Sequence, residues 1–264
     1  MGATSGIRGA QAEKLRLTNV VKRFGGRTVV HIEDLRLGRH AIEGLIGPNG
    51  AGKTTLMNLI TRKLRADDGK VVYLATGNNV VDLSRKRADR IARLGIVKSN
   101  QVIQDFETLT VRDSMLLAVA SPKRERFYRL FAERDLRREV EGEVESYLEY
   151  FQFANPDGYA LSAGEKKLLD IVRCLLLEPR FLLMDEPTAG LSDDQTAKVM
   201  ELLLKKTSEE ELSILIVEHD LDFIWQVCEL VHFMAEGQIL VQGPPAEIRD
   251  NTTLAEKYLG TSRV

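Results

Sequence analysis

Cysteine is scarce in this chain, with two in 264 residues, Cys174 and Cys228. Their spacing makes neither a metal-ligand set nor a disulfide framework. Each falls in an apolar helical pattern, so both are expected as buried thiols in a reducing compartment. Long apolar runs are also missing. Without a stretch of about 18 apolar residues, nothing here is expected to span a bilayer. The opening MGATSGIRGAQAEK lacks an apolar h-region, which argues against a secretory signal, and residues 1–13 are read as a flexible lead. A large charge of one sign is absent too. The formal net charge of −2 gives no global reason for a nucleic-acid partner. No internal repeat is visible. These absences describe a soluble, intracellular chain, and if it works at a membrane, another chain provides the span.

What is present starts with a 44% hydrophobic content, enough for one large or two small cores. LRLTNVVKRF and TVVHIEDLRL read as strands around a turn at Gly25-Gly26. AIEGLI is a strand running into a glycine-rich turn and the helix TTLMNLITRKL, and GKVVYLA is a further strand. From Thr110 to Tyr159 the texture becomes charged and helical, with apolar positions at helical spacing in RDSMLLAVA and LRREVEGEVESYLEYFQF. Strand and helix then alternate again. A helix is expected from Ser162 to Leu177, then the strand FLLM, a helix from Asp193 to Lys206, the strand ILIV, the helix LDFIWQVCELV and a hairpin in HFMAEGQILVQG. Alternation of this kind implies an α/β fold with a mainly parallel sheet covered on both faces. FLLM and ILIV are uniformly apolar, as doubly buried strands should be. The patch KRERFYRLFAERDLRR interleaves aromatics with arginines, yet glutamates follow and neutralise it. It is read as a solvated helix whose Phe127, Leu130 and Phe131 face the core.

The chemistry concentrates in four places. GPNGAGKTT, comprising Gly47, Pro48, Asn49, Gly50, Ala51, Gly52, Lys53, Thr54 and Thr55, fits G-x-x-x-x-G-K-[ST] between a strand and a helix. Its glycines let backbone N–H groups turn toward nucleotide phosphates, and the following helix adds its positive end. Lys53 is expected to neutralise the β- and γ-phosphates of ATP, and Thr54 to offer its hydroxyl to Mg²⁺. FLLM ends in Asp185-Glu186, at the strand edge where ligands bind in such sheets. Asp185 can reach the metal shell, which leaves Glu186 to orient and polarise a water for in-line attack. ILIV ends in Glu218-His219-Asp220, where His219 can donate to the γ-phosphate or the attacking water. His31, His40 and His232 have only a structural reading. Phe24, ending an early strand, either stacks on adenine or packs in the core. Finally, Ser162 and Glu165 of LSAGE form a capping-box pattern, yet Gly164 occupies the first helical turn, where glycine is unfavourable.

These residues together resemble the nucleotide-binding subunits of ATP-binding cassette (ABC) transporters. The match covers nearly the whole chain in the family's order. GPNGAGKTT stands as the Walker A loop, Gln101 in SNQVIQDFETLTV as the Q-loop, LSAGE as the signature, FLLMDEP as Walker B and VEHD as the switch histidine. The resemblance implies a P-loop, RecA-like core with a mainly parallel sheet, an antiparallel β subdomain and an inserted α-helical subdomain. Residues 14–264 would form one such ATPase domain, with the core at about 14–101 and 162–235. The helical subdomain would span about 102–161, and a C-terminal hairpin and helix 236–264. It implies catalytic roles for Glu186, His219 and Gln101 and metal roles for Thr54, Gln101 and Asp185. It also implies that Ser162, Ala163, Gly164 and Glu165 of one subunit face the ATP of another.

A second ATPase subunit, identical or paralogous, and integral-membrane permease subunits are thereby implied. So is an external solute-binding protein, with the chain peripheral on the cytoplasmic face of the membrane. Monomers are expected without nucleotide, and dimers around two Mg-ATP. ETLTVRDSMLLA, LSAGEKKLLDI and the tail GPPAEIRDNTTLAEKYLG are similar to ATPases of branched-chain amino-acid and urea importers. Lipopolysaccharide exporters carry related tails. A soluble cassette ATPase outside transport is the rival class, although its usual fusions and insertions are absent, and a phosphate-loop kinase or GTPase would not carry LSAGE. Ala163, Ser192, Asn100 and Arg39-His40 depart from the family's commoner residues.

Overall fold

The computed structural model describes residues 13–75, 79–99, 109–120, 134–251 and 254. Two sheets organise them. Strands β1 (Leu15–Phe24), β2 (Arg27–Leu37), β4 (Asp68–Ala75) and β5 (Asn79–Asp82) form an antiparallel sheet in the order β2-β1-β4-β5. The second sheet runs β10-β9-β3-β8-β7-β6, from β10 (Gln238–Gly243), β9 (Leu230–Ala235), β3 (Ile42–Ile46), β8 (Ser213–Val217), β7 (Phe181–Asp185) and β6 (Ile96–Lys98). All its pairings are parallel except the β9–β10 hairpin.

Side-chain alternation splits the core across the parallel sheet. From β8, Ile214 and Ile216 join an apolar cluster with the helices, whereas Leu215 and Val217 join a second cluster beneath the antiparallel sheet. Every residue of β3, β7 and β8 is buried, which explains why FLLM and ILIV carry no polar face. The helical cluster also takes in α3 (Val111–Ala120) and α4 (Arg134–Phe151), through Val111, Met115, Val144, Leu148 and Phe151. α3 packs against α5 (Ala163–Leu176) and against α4. Cys174 and Cys228 are buried free thiols, and burial pushes the pKa of each up.

The structure corrects several element boundaries. The helix after the glycine-rich turn, α1, covers Lys53–Ile60 and not the whole of TTLMNLITRKL, because Arg62 takes a left-handed φ of 59°. The helix α6 runs Asp193–Glu209, past Lys206. The expected helix LDFIWQVCELV stops as α7 (Leu221–Val227). Leu230 and Val231 instead start β9, paired with Glu43 and Gly44. Their apolar spacing suited a helix, and sheet pairing overrode it. Between Asn79 and Lys98 lie β5, a 3-10 turn at Leu83–Arg85, α2 (Ala88–Arg93) and β6, none of which the pattern of apolar residues announced. After β10 comes the short helix α8 (Pro245–Arg249). Gln101, Asn100 and most of KRERFYRLFAERDLRR lie outside the described residues.

Candidate functional site

The carboxyl ends of β3, β7 and β8 converge on a cleft of about 300 Å³, lined by Val29, Asn49 to Thr55, Glu186, Val217 and His219. The turn leaving β3 needs glycine at its first position. Gly47 holds φ at 147°, and a Cβ there would sit 1.9 Å from the Met234 carbonyl oxygen. α1 then begins at Lys53, after Gly52 and without a side-chain cap, so the positive end of its helix dipole lies at this loop. The buried Lys53 ammonium donates to the carbonyls of Gly47 at 2.7 Å and Pro48 at 3.0 Å. Burial lowers its pKa, with the charges of Glu186 and Asp185 opposing that shift. Both partners are neutral carbonyls, weaker acceptors for an ammonium than a phosphate oxygen is.

β7 delivers two adjacent carboxyls to different surroundings. Asp185 is fully buried, and among the described residues neither of its carboxylate oxygens receives a hydrogen bond. The Lys98 ammonium, itself only 6% exposed, lies 3.2 Å from Oδ2. Glu186 adopts a left-handed φ of 50°, a conformation that costs of order 1 kcal/mol and recurs at functional positions. Its N–H donates to Val217 O at 2.8 Å, and the side chain turns to solvent, where Oε1 meets His219 Nε2 at 3.3 Å. The Glu186–His219 pair thus faces the same cleft as Lys53 and Thr54.

Three further residues hold this edge in place. Glu218 is buried and accepts from Thr188 N–H at 2.8 Å, from the Thr188 hydroxyl, and from His219 N–H at 2.8 Å. It clamps the loop after β8 to the loop after β7. The buried Lys167 ammonium, reaching from α5, donates to the Asp185 carbonyl at 2.9 Å, so the Asp185–Glu186 peptide is pinned from behind. The Ser99 hydroxyl accepts from Asp185 N–H at 3.0 Å.

Ser162 caps α5 as the spacing predicts. Glu165 N–H donates to Ser162 Oγ at 3.2 Å, and Ser162 N–H returns to Glu165 Oε2 at 2.9 Å. Partial burial opposes ionisation of Glu165, but hydrogen bonds from Ser162 and Ala154 outweigh it and hold its pKa below the ordinary value. Ser162 and Ala163 are exposed at the helix start, whereas Gly164 is buried. A Cβ on Gly164 would meet Gln195 Oε1 and the Gly190 carbonyl oxygen, each at 3.1 Å. The bare backbone in the first turn therefore has a reason inside the chain: it lets α5 start against the loop that leads to α6. Ser192 opens α6 with its own capping box to Gln195. Phe24 is 47% exposed, which removes the core-packing option. The described residues lining the cleft do not include it, and the Lys22 ammonium lies 5.2 Å from its ring centroid.

Comparison with known proteins meets the same geometry. The model of the ABC transporter family matches residues 31–189. The chain belongs to the ABC transporter family. The cassette is 30% identical over 253 residues to the high-affinity branched-chain amino acid transport ATP-binding protein BraF of Pseudomonas aeruginosa, covering 93% of this chain and 97% of that protein. It is 31% identical over 257 residues to LivG of Escherichia coli, with the same coverage of 93% and 97%. Among solved structures, a nucleotide-free ATP-binding cassette from an ABC transporter aligns with a TM-score of 0.74 at 29% identity, over 93% of this chain and 97% of the other. The ADP conformation of the cassette MJ1267 aligns with a TM-score of 0.71 at 29% identity and the same coverage. The cassette is thus an ATP-binding ATPase subunit.

Sequence reasoning placed Gly47 to Thr55, Asp185, Glu186 and His219 on one sheet edge, and the cassette brings them there. Lys98, Lys167 and Glu218 escaped it. The only local signal for the lysines is a charge inside an apolar pattern, and strand or helix partners decide whether such a charge is buried. The donor set also suits a divalent cation. A carboxyl group whose buried oxygens receive no hydrogen bond among the described residues keeps lone pairs for a metal, and Thr54 lines the adjoining cleft.

Proposed function

We propose that two copies of this cassette, or one copy and a paralogue, close head to tail around two Mg-ATP and drive a membrane permease. The observation that carries this reading is the Glu186–His219 pair at 3.3 Å, facing the Lys53 loop on a cleft open to solvent. ATP binds with its phosphates on Gly47, Pro48, Asn49, Gly50, Ala51, Gly52, Lys53, Thr54 and Thr55, and Phe24 covers the base. Lys53 transfers its hydrogen bonds from the loop carbonyls to the phosphates. Asp185 and Thr54, joined by Gln101, would hold Mg²⁺, which when bound supplies charge neutralisation at the phosphates. Glu186 orients the attacking water and takes its proton, and His219 donates toward the γ-phosphate. The exposed helix start at Ser162 and Ala163, with Gly164 and Glu165 behind it, presents its dipole to the ATP held by the other subunit. Hydrolysis removes the shared anion and the pair reopens.

The relatives named for branched-chain amino acid transport support leucine, isoleucine and valine as cargo. An external solute-binding protein would deliver them, and the cassette would sit on the cytoplasmic face of the membrane. Among the described residues no helix is long and apolar enough to cross a membrane, and the permease is proposed as separate chains. Co-expression with membrane proteins encoded next to it, followed by leucine uptake into proteoliposomes, tests this. ATP-dependent uptake that disappears with Glu186→Gln is the expected result. Failure of the cassette to copurify with any polytopic membrane protein would contradict the transport reading.

A further inference from the structure

We infer that Glu218 is a positioning residue that sets the spacing of Glu186 and His219 by bonding both of the loops that carry them. The inference rests on the proposed roles of Glu186 as base and His219 as donor. Carboxyl and imidazole meet at 3.3 Å, yet the two side chains are 32% and 48% exposed. Packing alone therefore does not fix them, and their separation follows from where the two loops lie. The strands end side by side, with Asp185 of β7 opposite Val217 of β8, and Glu186 N–H donates to the Val217 carbonyl at 2.8 Å. Past that bond the chains leave the sheet, and Glu218 bridges them.

Each carboxyl oxygen of Glu218 serves one loop. Oε1 accepts from Thr188 N–H at 2.8 Å and from the Thr188 hydroxyl. Oε2 accepts from His219 N–H at 2.8 Å. Thr188 lies in the turn that Glu186 opens, closed by Ala189 N–H to the Glu186 carbonyl at 3.3 Å. One buried side chain thus connects the backbone of the base to the backbone of the donor. The arrangement needs two acceptor oxygens. A carboxamide has one, and its NH₂ would face a backbone N–H on the loop that the oxygen does not serve. The described residues lining the cleft do not include Glu218, so it acts on turnover and not on nucleotide binding.

The test is steady-state ATP turnover of the purified cassette with Mg²⁺, alongside binding of a fluorescent ATP analogue. Glu218→Gln is expected to lower kcat by about tenfold, with affinity for the analogue within about twofold of the wild type, since one loop loses its acceptor. Thr188→Val removes the hydroxyl alone and should lower kcat by about threefold, and it serves if Glu218→Gln does not fold. Thr188→Ser restores the hydroxyl and should restore kcat. The decisive readout is coupling. In a His219→Ala background the spacing of the pair no longer matters, so Glu218→Gln should lower kcat there by about twofold or less. A full loss of about tenfold in that background, as a purely structural role would give, overturns the inference. Unchanged kcat in a folded Glu218→Gln protein overturns it too, as does equal turnover in Thr188→Val and Thr188→Ser. If His219→Ala by itself leaves kcat unchanged, the donor role of His219 fails, and the inference with it.

Discussion

In the proposed reaction Glu186 is the base, and its backbone conformation is one that a fixed surrounding must hold. A left-handed φ of 50° on a residue with a Cβ persists only because neighbours hold it. The Val217 carbonyl takes its N–H, and the Lys167 ammonium takes the preceding carbonyl. That leaves the carboxyl free to meet His219 and the cleft. Replacing Glu186 by Gln keeps shape and removes the base, so kcat should fall by about 100-fold or more while ATP affinity stays within a few-fold. Steady-state turnover alongside binding of a fluorescent ATP analogue checks this, and near-normal turnover would take Glu186 out of the role. Replacing His219 by Ala should lower turnover less, by about tenfold or more, since it removes a donor and not the base. At this scale the sequence was informative because adjacent acids after four buried apolar residues have few structural uses. The partners of Asp185 were not legible, since Lys98 and Lys167 reach it from β6 and α5, and only the fold brings those elements together.

α5 starts in close contact with the loop before α6. Glycine in a first helical turn is ordinarily improved by alanine, by about 0.5–1 kcal/mol. Here a Cβ would press on the Gly190 carbonyl oxygen at 3.1 Å, and backbone yields less readily than a side chain. Gly164→Ala should therefore destabilise the cassette by about 1 kcal/mol in urea denaturation, and a gain in stability would refute the packing account. Ser162→Ala should cost about 1 kcal/mol through loss of the cap. Helix starts such as Ser162 were readable in advance because a capping box is local. The reason for Gly164 was not, because Gln195 and Gly190 come from a distant part of the chain. The same limit explains α7. Its apolar spacing continues through Leu230 and Val231, and only pairing with β3 shows where the helix must stop.

The two sheets of the molecule are tied at one end by Lys14. Its ammonium, just before β1, donates to the carbonyls of Arg180 at 3.2 Å and Glu211 at 2.7 Å, ahead of β7 and β8. Burial lowers its pKa to about 8 from 10.5, with Glu211 opposing and Arg180 assisting. Below pH 8 the ammonium is charged in folded and unfolded chains alike, and its desolvation penalty is fully present. From there to 10.5 the unfolded chain binds more protons, so stability contributed at this position rises with pH. Urea denaturation across that window should show a steeper rise in the wild type than in Lys14→Met, and equal slopes would contradict the assignment. The whole assembly turns on a different question, namely whether one chain's helix start completes another chain's cleft. Light scattering on the Glu186→Gln protein measures it directly. Monomers without nucleotide and dimers with ATP and Mg²⁺ are expected, while a monomer that persists at saturating ATP would contradict the shared site.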